Sequence, residues 1–112
     1  MQEHKVAFTP DALESLIDIV SYIRDTLRNP PAAMSVYNKL KSAATSLCLM
    51  PEHIPFSRYD ELAKKSVRCM SVENYLILFR VIEAENLVEI LNFVYGKRNQ
   101  REILSALTKR GD

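Results

Sequence analysis

Residues 75–82 read Tyr-Leu-Ile-Leu-Phe-Arg-Val-Ile, a nearly unbroken apolar run between Glu73-Asn74 and Glu83-Ala84-Glu85-Asn86. Such a run describes a central strand covered on both faces. Short polar links of this kind are hairpin length, so the strand requires antiparallel neighbours on each side. Both are present. Ser66–Val72 precedes it and is rich in strand formers of mixed polarity. Leu87–Tyr95 follows, alternating less regularly but carrying Leu87, Val88, Ile90, Leu91, Phe93 and Val94. The second half of the chain is therefore an antiparallel three-stranded meander.

The first half reads as a strand and two helices. Lys5–Thr9 alternates as a short strand, and Pro10 follows with Thr9 placed to cap a helix. Leu13, Leu16, Ile17, Val20, Ile23 and Leu27 then recur at helical spacing, with Asp11, Glu14, Asp18, Arg24, Asp25 and Arg28 on the other face. Asn29-Pro30-Pro31 breaks the pattern. A second stripe, Ala33, Tyr37, Leu40, Ala44 and Leu47, ends at Met50-Pro51. The short link favours an antiparallel helical hairpin. Residues 51–63 lack a period and form a long loop, and residues 99–108 suit a short C-terminal helix with Asn99 as cap and Ile103, Leu104 and Leu107 on one side. The fold expected is α+β: strand, helical hairpin, meander, short helix. The helices lie against one sheet face and leave the other at least partly open.

The chain has 112 residues, of which 47% are hydrophobic and 26% charged, so a single domain over 1–112 is expected. No stretch reaches the ~20 apolar residues that span a bilayer, and the N-terminus has no apolar signal region. Cys48 and Cys69 lie far apart and read as reduced core thiols. The expected compartment is the cytoplasm.

The net charge of +1 hides an uneven distribution. Lys64, Lys65 and Arg68 occupy residues 64–72 without an acid, and residues 91–112 hold five basic against two acidic groups. Positive charge thus collects in two late segments, which points to an anionic or acidic partner. Other chemistries are excluded. His4 and His53 lack partners at ligand spacing, so no metal is expected. Glycine occurs only at 96 and 111, which rules out a phosphate loop, and no Gly-x-Ser-x-Gly or Cys/His arrangement supports acyl transfer. No cofactor is implied. Tyr75 and Phe79, four apart on one strand face, are expected to pack in the core.

Val67-Arg68-Cys69-Met70-Ser71-Val72-Glu73-Asn74-Tyr75-Leu76-Ile77-Leu78-Phe79-Arg80-Val81, followed by Val88-Glu89-Ile90-Leu91-Asn92-Phe93-Val94-Tyr95-Gly96-Lys97-Arg98, closely resembles the sheet of the RelE/ParE superfamily of bacterial type II toxins. Phe8-Thr9-Pro10-Asp11-Ala12 and Asn29-Pro30 fit its helical opening, and the likeness covers about residues 5–108. The resemblance implies a toxin of a plasmid-stabilisation (addiction) module, held by a cognate antitoxin. RelE-like members enter the ribosomal A site and cut mRNA, whereas ParE-like members poison DNA gyrase. Fold alone does not decide between these targets.

The resemblance also implies a site. Arg98 falls on a phosphate-contacting arginine of RelE-like enzymes, and Tyr95 stands where their histidine precedes Gly-Arg-Arg. Arg68 aligns with an arginine of ParE-like sequences. These three form the candidate catalytic set, with Lys64, Lys65, Lys97 and Arg101 as target-binding cations. Two positions depart from the nuclease pattern: Ser71 replaces an arginine, and Leu104 stands in place of the late tyrosine. A further reading is a catalytically degenerate toxin fold kept as a binding module.

Overall fold

Thr9 and Asn29 each precede a proline, and each caps a helix in the computed structural model, which describes residues 4–49, 54 and 66–95. Thr9 Oγ1 accepts the Ala12 N–H at 3.1 Å, and Asn29 Oδ1 accepts the Ala32 N–H at 3.2 Å. Each oxygen thus satisfies a donor that the first helical turn leaves without a partner, and proline at the next position has no N–H to lose. Helix α1 runs Pro10–Ser21 and continues into a π-turn, Tyr22–Thr26. Helix α2 runs Pro30–Thr45 and tightens into a 3-10 turn, Ser46–Cys48. No helix among the described residues is long and apolar enough to cross a membrane.

The four strands are β1 (Lys5–Phe8), β2 (Val67–Val72), β3 (Tyr75–Ile82) and β4 (Leu87–Tyr95), in one sheet ordered β1-β4-β3-β2. The meander holds as expected, with β3 antiparallel to both β2 and β4. Strand β1 adds to the far side of β4 in parallel, pairing Lys5 with Leu87 and Phe8 with Ile90. The helical crossover between β1 and the meander makes this parallel pairing possible.

The core lies between the helices and one sheet face. Ala12, Leu16, Leu40, Ala44 and Leu47 from the helical side meet Ile77, Phe79, Val88, Ile90 and Phe93 from the sheet. Burying a Phe or Leu side chain is worth about 1.5–3 kcal/mol, so this cluster is the main source of stability. The α2 stripe appears as expected, with Ala33, Leu40, Ala44 and Leu47 buried.

Two expectations need correction. The α1 stripe is shifted: Ala12, Leu16 and Ile23 are buried, whereas Leu13, Ile17 and Leu27 remain 48%, 61% and 55% exposed. Helix α1 packs on β4 along the row containing its small residue Ala12, so its apolar arc is wider than the surface it covers. The sheet's second face is closed at its centre, as the apolar run of β3 predicts. Val67, Leu76, Leu78 and Val94 form a second buried cluster there, and both faces of β3 are therefore covered. Cys48 and Cys69 are partly buried rather than core residues. The expected C-terminal helix lies outside the described residues, as does the 51–63 loop apart from Ile54.

Candidate functional site

The irregular alternation of β4 has a structural cause. Leu78 pairs with Asn92, but Phe79 pairs with Ile90, so Leu91 is an extra residue without a partner on β3. This is a β-bulge, which shifts the side-chain alternation by one. Val88 and Ile90 face the helices before it, and Phe93 faces them after it. Tyr95 shares the parity of Phe93 and stands opposite Tyr75. The two rings meet edge to face, with centroids 5.4 Å apart. That geometry suits the ring quadrupoles.

Across from these tyrosines, the end of α1 is also irregular. In the π-turn, the Leu27 N–H donates to Tyr22 O at 3.1 Å, and the Asn29 N–H donates to Ile23 O at 3.1 Å. Arg28 takes a left-handed φ of 52° to turn the chain. Ile23 is buried by this arrangement, while Tyr22 and Leu27 stay about half exposed. Between the two irregularities lies an open cleft of about 540 Å³, walled by Tyr22, Ile23 and Leu27 on one side and by Asn74, Tyr75 and Tyr95 on the other. Both π-turns and β-bulges are concentrated at functional sites; here the π-turn lines the cleft, and the bulge, four residues before Tyr95, sets the face on which Tyr95 stands.

The cleft is apolar with phenol groups at its walls. Partial burial raises the Tyr75 pKa above its ordinary value, and Tyr95 and Glu73 add to the effect. The phenol therefore stays protonated near neutral pH, where it can donate a hydrogen bond but is a poor general base. Tyr95 is 38% exposed at the mouth.

Arg68 occupies a different place. It lies on the edge strand β2 opposite Phe79, and its Nη1 donates to the Ile54 carbonyl at 2.7 Å. Tyr95 lies two strands away and four residues along, since its partner on β3 is Tyr75. Strand spacings put the two backbones roughly 17 Å apart. The fold therefore places Arg68 and Tyr95 at separate points of the sheet. On the second face, Arg80 is neutralised by Glu89, with Nη2 to Oε1 at 2.8 Å. Lys64, Lys65, Lys97, Arg98 and Arg101 lie outside the described residues. By connectivity, Lys97 and Arg98 follow Tyr95 within three residues.

Phe79 is fully buried in the core as expected, and Tyr75 packs partly buried against the same cluster while also lining the cleft. Tyr22 lies off the apolar stripe of α1 and carries no separate signal in the sequence. The broken alternation of Leu87–Tyr95 was the available signal for the bulge that creates the site.

The profile described as the ParE toxin of the type II toxin–antitoxin system parDE matches residues 6–100 of this chain. No curated protein matches it. Among solved structures, the fold is similar to a chain of the chromosomal ParDE system from P. aeruginosa, with a TM-score of 0.69 and 18% identity over 83% of this chain and 96% of that one. It is also similar to a chain of the RelBE2 toxin–antitoxin complex from Mycobacterium tuberculosis, with a TM-score of 0.58 and 22% identity over 85% and 93% of the two chains. A chain of the intact E. coli RelBE complex gives 0.57 and 15% over 85% and 99%. At these identities the structural likenesses establish the shared α+β fold.

Proposed function

Since this chain belongs to the ParE toxin family of type II toxin–antitoxin systems, we propose that it is a growth-inhibiting toxin, neutralised by a cognate antitoxin, whose target is DNA gyrase in the cytoplasm. The family match over residues 6–100 is the observation that carries this reading. An antitoxin partner is supported by the solved relatives, two of which are toxin–antitoxin complexes.

The choice of gyrase over mRNA rests on chemistry. Cutting RNA requires a group that activates the 2′-hydroxyl, cations that neutralise the phosphate and an acid for the leaving oxygen. Ser71 and Leu104 replace two side chains of that set. Tyr75 holds its proton too tightly to serve as a base near neutrality. Arg68 and Tyr95 stand apart along the sheet. Gripping a protein target needs less: an apolar cleft beside a cluster of cations. In this reading Tyr95 lies at the mouth, and Lys97, Arg98 and Arg101 follow it as target contacts. Arg68 on β2, with Lys64 and Lys65 shortly before it in the sequence, supplies a second set of cations. No metal or cofactor takes part.

The literal Gly96-Lys97-Arg98 favours mRNA cleavage as the second reading. Gyrase supercoiling with trapping of cleavage complexes, run beside primer extension on ribosome-bound mRNA, separates the two. Inhibited supercoiling with uncut message is expected, and A-site cuts with unaffected gyrase would transfer the activity to the ribosome. Arg98→Ala should weaken the effect roughly tenfold to a hundredfold, as expected for losing a charge-assisted contact.

A further inference from the structure

Strand β1 ends at Phe8, opposite Ile90, so among the described residues the stretch of β4 beyond Ile90 has no strand on that side. Its backbone groups are met by the start of α1. The Thr9 N–H donates to Ile90 O at 3.1 Å, and Thr9 Oγ1 donates to the same carbonyl at 2.9 Å while lying 3.3 Å from Leu91 O. The Phe93 N–H donates to Ser15 Oγ at 3.0 Å, and that hydroxyl in turn donates a hydrogen bond to Ala12 O at 2.9 Å. All three β4 residues, Ile90, Leu91 and Phe93, belong to the bulge or flank it. Two hydroxyls six residues apart, one at the N-cap of α1 and one within it, thus replace the missing strand where the alternation shifts.

We propose that Thr9 and Ser15 are positioning residues that hold the Leu91 bulge in register and thereby set Tyr95 beside Tyr75 in the cleft. A strand without the bulge turns Phe93 and Tyr95 to the opposite face, since a one-residue slip exchanges the two faces. It also redirects the exit of the chain toward Lys97 and Arg98. Removing the Ser15 hydroxyl leaves the Phe93 N–H without its acceptor, and an unmet buried donor shifts the register equilibrium by about tenfold or more. Thr9 carries the second anchor while also capping α1.

The functional weight of this placement rests on the reading that the Tyr95 end of the sheet is the working surface, and the test keeps the two separable. In the full chain with isotope-labelled tyrosine, ring-to-ring NMR contacts between Tyr75 and Tyr95 report the bulge directly, and induced growth arrest reports function. Ser15→Ala should keep the fold but weaken that contact, shift the Tyr75 ionisation toward its ordinary value and reduce growth arrest, and the Thr9→Val, Ser15→Ala double variant should do so further. Ser15→Thr and Thr9→Ser, which keep the hydroxyls, should retain all three properties. An unchanged Tyr75–Tyr95 contact in folded Ser15→Ala and in the Thr9→Val, Ser15→Ala double variant overturns the positioning role. Loss of the contact with full growth arrest supports the positioning role and instead removes Tyr95 from the working surface.

Discussion

At the scale of single residues, Tyr75 links the fold to a measurable titration. Its partial burial, the neighbouring Tyr95 and the charge of Glu73 all raise its pKa above 10.0. The folded chain therefore holds this proton more tightly than the unfolded chain. The resulting stability is fully present below the unfolded value near 10 and is lost as pH rises through the higher folded value. Thermal melting across the alkaline range should show this decline, and Tyr75→Phe should flatten it. Phe79 makes a different contribution, being fully buried between helices and sheet. Phe79→Ala should reduce stability by about 3–5 kcal/mol in urea titration, by lost burial plus the cavity left behind. Ile17, despite its place in the apolar stripe, is 61% exposed. Ile17→Lys should change stability by no more than about 0.5 kcal/mol, as a surface substitution does.

At the scale of elements, the β2–β3 turn is locally strained. Glu73 adopts a left-handed φ of 54°, which a side chain with a Cβ disfavours by roughly 1–2 kcal/mol. Its ion pair with Lys39 at 2.9 Å is more than half exposed on both sides and contributes little. Glu73→Asn, which tolerates this backbone conformation, should therefore raise the melting temperature. A lower value would mean that the ion pair outweighs the strain. The elements themselves were largely legible in the sequence, because capped prolines, helical stripes and hairpin links are local signals. Strand β3 matches its apolar run, Tyr75–Ile82, and β4 matches Leu87–Tyr95. What escaped was non-local. The parallel pairing of β1 with β4 depends on partners more than 80 residues apart. The bulge at Leu91 looked only like imperfect alternation, since one extra residue leaves no compositional mark. Its anchors, Thr9 and Ser15, could be recognised only once α1 and β4 were side by side.

At the scale of the whole molecule, the sheet order brings the chain's beginning against its last described strand, and the helical hairpin covers the same face. That arrangement forms the Tyr22–Tyr75–Tyr95 cleft, and in the sequence Tyr95 is followed by the cationic residues Lys97, Arg98 and Arg101. The candidate site was thus readable from the sequence as a position along the chain, through the resemblance of Tyr95-Gly96-Lys97-Arg98, but not as a cleft. Its other wall comes from a helix end about 70 residues earlier. Membership of the ParE toxin family gives this surface its most direct test. The chain is induced alone, and then together with its proposed cognate antitoxin, while viable cells are counted. Growth arrest by the chain alone, relieved by the second protein, is the predicted result. Undiminished growth with the folded chain present at high level would contradict the toxin assignment and leave a binding module.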